Sequence, residues 1–153
     1  MGVRFIPTKV HGAVDHGLAA ILIAAPEIFR LRDDSPEGLI ARVVGGMETL
    51  YANITDYEMS VEHVVPMPVH LALDGINGAA LALIPQFTGA RKRGINHWVP
   101  HLGIGVFEIG MALFTKTQPP RRSKKAMALQ GAGKAGKVGL KAKLAKNAAK
   151  AAA

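Results

Sequence analysis

The chain has 153 residues, enough for one domain with little room for a second, and it contains no cysteine. The missing cysteine excludes disulfide bonds and thiolate chemistry. The formal charge of +8 is unevenly distributed: residues 1–114 carry 8 basic and 11 acidic side chains, whereas residues 115–153 carry 11 basic and no acidic ones. The basic character of the chain therefore belongs to its C-terminal segment.

Four apolar segments of about 18–20 residues each dominate the rest of the sequence. They lie at roughly residues 10–29, 38–55, 68–87 and 97–114. At ~1.5 Å per helical residue, each nearly matches a hydrocarbon core of ~30 Å. The first is interrupted by Asp15, His16 and Glu27 and lacks a clean cleavage site, so we expect it to stay in the mature protein.

Two stretches within these segments, GLAAILIAAP (17–26) and GINGAALALIPQF (75–87), are apolar or small on every side. A surface helix of a soluble bundle would show a polar stripe, and small residues suit close helix approach in lipid. We therefore predict an all-α fold, a bundle of four transmembrane helices in a domain at 1–117, followed by a basic low-complexity tail at 118–153. A soluble all-helical bundle is the alternative.

The sequence also contains an internal duplication. Placing His11 on His70 and Asp15 on Asp74 requires a shift of 59 residues, and the same shift superimposes two prolines. A shift of 60 superimposes Glu48 on Glu108 and Thr55 on Thr115. We therefore predict two tandem helical-hairpin repeats, at about 8–57 and 67–117. Because each repeat would cross the membrane twice, both would enter from the same side, as a parallel repeat.

The stretches VHGAVDHG…AAPEIF and TDYE…PMPVHLALDGINGAALALIPQF, within about residues 8–115, resemble the SPW-repeat family of small bacterial integral membrane proteins. The Ser-Pro-Trp motif of that family is reduced here to its proline, in Ala25-Pro26-Glu27 and Ile84-Pro85-Gln86. The resemblance implies a fold and a membrane location, and it implies no activity.

Each apolar segment carries one carboxylate well inside it, apart from Glu27 near the end of the first segment, and two of the segments also carry a histidine four residues before that carboxylate. Counting residues along the helices places all four acids at a similar depth, where ionised groups should turn into the bundle. We therefore predict one polar cluster, supplied half by each repeat. Its members are His11, Asp15, Glu48, His70, Asp74 and Glu108.

Several roles fit such a cluster. Hydrogen bonds between helices would stabilise a small bundle in lipid by about 0.5–2 kcal/mol each, which is the interpretation we favour at this point, with no cofactor. Two histidines and four carboxylates are also the ligand set of di-iron and di-manganese bundles, although the spacing here is His-x-x-x-Asp. Mn, Fe or Zn would then be favoured. Proton or ion transfer is a further alternative, and haem held by His11 and His70 fits less well.

No catalytic residues are predicted, and the glycines and lysines of 131–139 lack P-loop spacing. The basic tail predicts electrostatic contact with anionic lipid, an acidic protein partner or, less favoured, nucleic acid. Its contact residues would be Arg121, Arg122, Lys124, Lys125, Lys134, Lys137, Lys141, Lys143, Lys146 and Lys150.

Taken together, the sequence predicts a non-enzymatic accessory or scaffold component of the cytoplasmic (inner) membrane. A membrane-protein partner or a homo-oligomer is consistent with this role. Since eleven basic residues resist translocation, both termini should be cytoplasmic. The alternative function is a metal-binding or proton- and ion-handling membrane protein that uses the same cluster.

Overall fold

The computed structural model describes residues 3–32 and 35–120, together with residues 139, 143 and 147. Within these residues the protein is helical, which confirms the predicted all-α class, and two isolated β-bridges are the only extended pairing. The helices are α1 (Thr8–Ile23), α2 (Ala25–Ile28), α3 (Pro36–Ile54), α4 (Met67–Phe87), α5 (Ala90–Arg93) and α6 (Val99–Phe114), with a 3₁₀ turn at Ile95–His97.

Prolines start most of these helices. A proline occupies the first turn of α2, α3, α4 and α6, where its missing N–H is not needed and its fixed φ suits the helix. Ser35 adds a side-chain cap to α3, because its hydroxyl accepts a hydrogen bond from the Gly38 amide. Gly89 and Gly94 bracket α5 with φ values of 76° and 135°, which only glycine adopts readily.

Helix α1 packs against α3, and α4 packs against α6, so each half of the chain forms a helical hairpin. The same contacts recur in both halves. A Cβ on Gly45 of α3 would lie 2.8 Å from the Ala19 carbonyl, and one on Gly105 of α6 would lie 2.8 Å from the Ala82 amide. Both hairpins therefore rely on a glycine for close backbone approach.

The two β-bridges join the halves to each other. Ile6 pairs with Thr115, and Val65 pairs with Thr55. These residues are related by the shifts of 59 and 60 that relate the histidines and the glutamates. In each repeat, the extended segment before the first helix therefore pairs with the residue that follows the last helix of the other repeat.

The interior of the bundle holds buried histidines and carboxylates as well as an apolar core, and many apolar side chains lie on its outside. Among the described helices, α4 alone is long and apolar enough to cross a membrane by length and composition, and α1 and α6 have 16 residues each. Exposed apolar side chains nevertheless run the full length of α3, α4 and α6. They are Leu39, Val43, Met47, Leu50 and Ile54 on α3, Val69, Ile76, Leu83 and Phe87 on α4, and Val99, Val106 and Leu113 on α6.

The chain divides into two compact units, residues 1–119 and 120–153. All six helices belong to the first unit. In the second unit, beyond Pro120, the described residues are Gly139, Lys143 and Asn147, each exposed and in helical backbone. Of the predicted tail contacts, Lys143 is therefore described, and the other nine lie outside the described residues.

Candidate metal centre

The candidate site is built from two equivalent sequence units, one at the start of α1 and one at the start of α4. In each, a histidine and an aspartate four residues later share one helix face and point toward the other hairpin. One ligand atom from each of His11, Asp15, His70 and Asp74 lies within 4.8 Å of the other three, and all four residues are buried. We call these four residues the quartet.

The quartet is cross-linked between the repeats. His11 Nε2 lies 3.0 Å from Asp74 Oδ2, and His70 Nε2 lies 3.0 Å from Asp15 Oδ2. The two Nε2 atoms are 3.2 Å apart. Each repeat therefore contributes a histidine to the aspartate of the other repeat, around a pseudo-two-fold axis that passes between the two rings.

Threonine hydroxyls orient both rings. Thr55 Oγ1 lies 2.8 Å from His70 Nδ1, and Thr115 Oγ1 lies 2.8 Å from His11 Nδ1. The Thr55 hydroxyl donates to the Tyr51 carbonyl at 2.7 Å, so it must accept from His70, and Nδ1 of that ring carries the proton. In the neutral ring, Nε2 then presents its lone pair to the centre of the quartet.

The two aspartates differ in their outer partners. The Tyr51 hydroxyl donates to Asp74 Oδ1 at 2.8 Å, and the Asn77 amide donates to that hydroxyl at 3.0 Å. Tyr51 also stands edge-on to the His70 ring, with centroids 4.9 Å apart. The residue equivalent to Tyr51 in the second repeat is Met111, which has no hydroxyl to offer Asp15.

Tyr57 closes the site from the connection between α3 and α4. Its ring is buried, lies 5.5 Å from the His70 ring, and fills the space beside Gly12, where a Cβ would clash with it. Sequence reasoning missed Tyr51, Asn77 and Tyr57. The motif TDYE around Tyr57 was noted, but nothing in its spacing indicated that the ring turns inward.

The distances within the quartet suit a small metal ion. Ligand atoms in a tetrahedral zinc site, with bonds of about 2.0–2.2 Å, lie about 3.3–3.6 Å apart. The nitrogen–oxygen and nitrogen–nitrogen separations here are 3.0–3.3 Å, within a few tenths of an ångström of that range. Haem does not fit, because the Nε2 atoms leave no gap for a porphyrin plane between them.

Glu48 and Glu108 complete the predicted cluster by position but not by bonding. Both are buried, with exposed fractions of 2% and 4%. Among the described residues, Glu48 Oε2 and both carboxylate oxygens of Glu108 have no hydrogen-bond partner. The structure thus brings four of the six predicted residues into direct contact and leaves two beside them.

A second polar cluster lies at the other end of the bundle, around Glu37 in the first turn of α3. Arg93 binds the carboxylate with two nitrogens, at 2.9 and 2.6 Å, and His97 Nδ1 lies 2.5 Å from Oε1. His101 Nε2 donates to the Glu37 carbonyl at 2.9 Å. Both His97 and His101 are buried, and their contacts with Glu37 join the two hairpins.

The charge of Glu37 is stabilised by these partners. Burial by itself raises the pKa of the Glu37 carboxyl, but hydrogen bonds from Arg93, from its own backbone and from His97 together hold the pKa below its ordinary value. Glu37 precedes the apolar segment 38–55, so this ion pair lies at the edge of the bundle. The ion pair joins the first repeat to the connection between α4 and α6 in the second repeat.

No protein-family model matches the chain, and comparisons with curated proteins and with solved structures found no match. The resemblance to the SPW-repeat family therefore stays a prediction.

Proposed function

We propose that this protein binds a first-row divalent transition metal ion, such as zinc, iron or manganese, in the quartet formed by His11, Asp15, His70 and Asp74. The observation that carries the proposal is the convergence of four buried ligand atoms, from two repeats, within 4.8 Å of one another, with nitrogen–nitrogen and nitrogen–oxygen separations of 3.0–3.3 Å. Imidazole nitrogens and carboxylate oxygens are ligands that these metals accept.

Ionised aspartates would favour a cation over hydrogen bonds alone. With Nδ1 protonated toward Thr55, the neutral His70 ring turns a lone pair toward Asp15, and this contact is repulsive unless the aspartate is protonated and donates to the ring. Protonating both Nε2 atoms instead would place two imidazolium N–H groups 3.2 Å apart. A cation between the four atoms is attracted by all of them. The threonine contacts are the outer partners that metal-bound histidines commonly have.

Elemental analysis of the full chain, purified in detergent and dialysed against trace metals, tests the proposal. We expect stoichiometric metal in the wild type and its loss in His11→Gln/His70→Gln. His16→Gln is the matched control, because His16 also lies on α1 but binds the Gly12 carbonyl and not the quartet. Wild-type protein that takes up no added zinc, iron or manganese would overturn the proposal.

A non-enzymatic accessory or scaffold role, in which the quartet clamps the two hairpins, is the second candidate. The contacts of His11 with Asp74 and of His70 with Asp15 favour it, because both connect different repeats at hydrogen-bonding distance. Metal-free protein whose thermal stability falls in Asp15→Asn and Asp74→Asn would favour this role over metal binding.

We propose further that the bundle resides in the cytoplasmic membrane with both termini in the cytoplasm. Support comes from two features: carboxylates and histidines are buried inside the bundle, and apolar side chains are exposed along the outer faces of α3, α4 and α6. The basic tail would contact anionic lipid or an acidic partner. Protein that leaves the membrane fraction in alkaline carbonate, without detergent, would contradict membrane integration.

A further inference from the structure

A groove that is open to the surface lies between the start of α4 and the end of α6. Its volume is about 250 Å³, roughly eight times the ~30 Å³ that one water molecule takes in the liquid. Its walls are apolar or small residues, apart from the side chains of Arg4 and Thr117. The apolar walls include Leu71 and Gly75 of α4 and Ile109 and Leu113 of α6. The groove therefore offers room for part of a hydrocarbon chain.

The corresponding place in the first repeat is filled. There the buried ring of Tyr57 occupies the space beside Gly12. Gly12 corresponds to Leu71 of the groove through the shift of 59 residues. Through the shift of 60, Tyr57 corresponds to Thr117, which has no ring. The groove is therefore the space that an aromatic side chain occupies in one repeat and that a threonine leaves open in the other.

The charges beside the groove also differ from those at the filled place. At the filled place, His63 Nδ1 lies 3.6 Å from Asp56 Oδ1. The corresponding residues at the groove are Arg4 and Lys116, which are both basic. The backbones match, because the amides of Asp56 and Lys116 donate across the two corresponding β-bridges, at 2.7 and 3.0 Å. A pair of opposite charges is thus replaced by two positive charges where the groove is open.

The Arg4 guanidinium is held at the end of α6. Its Nη1 donates to the carbonyls of Ala112 and Thr115, at 2.9 and 2.7 Å, which uses both hydrogens of that nitrogen. Nε and Nη2 remain, and these two nitrogens form the fork that can bind two oxygens of one phosphate. Within the described part of the chain, no carboxylate pairs with Arg4. A fixed cation therefore borders an apolar groove, at the level where two helices end.

We propose that the groove binds one anionic glycerophospholipid of the surrounding bilayer, with an acyl chain between α4 and α6 and the phosphate at the Arg4 guanidinium. Basic pockets between helices on the cytoplasmic side of a membrane bind anionic headgroups in this way. The site is distinct from the basic tail, whose contact with lipid would be electrostatic and would not involve an acyl chain. The inference rests on the proposed membrane location and is independent of a metal ion in the quartet.

Photolabelling of the full chain in lipid vesicles tests the proposal. The probe is phosphatidylglycerol with a diazirine on its acyl chain, and labelled peptides are mapped by mass spectrometry. We expect labelling to concentrate on residues 68–75 and 109–117. Thr117→Tyr introduces the residue that fills the first repeat, so labelling of these segments should fall to that of the exposed face of α3. Thr117→Ser leaves the groove open and should keep the wild-type pattern.

Arg4→Gln tests the headgroup contact. The preference of these segments for phosphatidylglycerol over phosphatidylcholine should fall about fivefold, because one basic residue contributes about 1 kcal/mol at an anionic surface. Lys9→Gln is the matched control, since Lys9 is an exposed basic residue near the same end of the chain and does not line the groove.

Wild-type labelling that is spread evenly over the exposed faces of α3, α4 and α6 would overturn the lipid site, and so would equal labelling by the two lipids. Alkaline carbonate extraction separates this result from a failure of the proposed function. Protein that stays in the membrane but is labelled evenly loses the lipid site alone. Protein that carbonate releases loses the membrane location and the lipid site together. The wild-type pattern decides the question even where Thr117→Tyr prevents folding.

Discussion

Thr55, Thr115 and Tyr51 orient the residues of the quartet through their hydroxyl groups. His11 and Asp15, and their equivalents in the second repeat, stand out because charged groups are rare in apolar segments. Thr55 helped to align the repeats, but its contact with a histidine depends on where two distant helices meet. Nothing in the sequence distinguishes Tyr51, whose hydroxyl donates a hydrogen bond to Asp74.

Replacing Thr55 with valine should weaken metal binding by about 10–100-fold, because the His70 Nδ1–H would lose its acceptor and the ring its orientation. Competition against a chelating dye measures the affinity. Thr49→Val is the control: its hydroxyl binds the Gly45 carbonyl within α3 and does not reach the quartet. Equal affinities in the two variants would show that the threonine contact plays no part.

The Glu37 ion pair should make stability dependent on pH in acid. Since the folded pKa of Glu37 lies below its ordinary value of 4.5, its contribution is complete above the unfolded pKa and is lost as pH falls through the folded one. Wild type should therefore be more stable than Glu37→Gln at neutral pH, and the difference should shrink below about pH 4.5. Thermal unfolding at several pH values checks this; a constant difference would contradict it.

At the scale of the helix, composition and spacing predicted four long elements, and the structure places helices at all four segments. The first predicted segment, residues 10–29, is not one helix: α1 ends at Ile23, and Pro26 lies in the first turn of the short helix α2. Pro85, its equivalent, lies inside α4 instead. A proline can open a new helix or sit within one, and the surrounding packing, which one sequence does not reveal, decides between these outcomes.

Gly105→Ala should destabilise the second hairpin by about 1–3 kcal/mol, because the added Cβ would press on the Ala82 amide and the Gly78 carbonyl of α4. Gly103→Ala, on the same helix, has nothing within 4 Å of its added Cβ. This control should be neutral or more stable by up to about 1 kcal/mol. Unfolding midpoints in detergent compare the two, and similar midpoints would contradict the close approach.

For the molecule as a whole, most of what could be predicted from the sequence follows from the internal duplication. Because corresponding residues recur at shifts of 59 and 60, a single sequence reveals which residues should face each other across an axis. It does not reveal departures from symmetry. The pair Glu37 and His97 occupies corresponding positions, yet one is an acid and the other a base, and they bind each other.

Deleting residues 119–153 should abolish salt-sensitive binding to anionic vesicles, since basic residues near a membrane surface contribute about 1 kcal/mol each. The deletion removes ten of the eleven basic side chains beyond residue 114. Neutral phosphatidylcholine vesicles are the control, and neither protein should bind them in a salt-dependent way. Unchanged binding after the deletion would eliminate the tail as a lipid contact.

The difference between Tyr51 and Met111 has a consequence for how an ion would enter and leave. Asp74 accepts a hydrogen bond from the Tyr51 hydroxyl, which in turn accepts one from the Asn77 amide, whereas Met111, the residue equivalent to Tyr51, has a thioether that cannot donate a hydrogen bond to Asp15. Among the described residues, Asp74 is therefore held by a hydrogen bond from outside the quartet, and Asp15 is not. Exchange of the ion would begin at Asp15, and its rate would respond to changes around α1 before it responded to changes around α4.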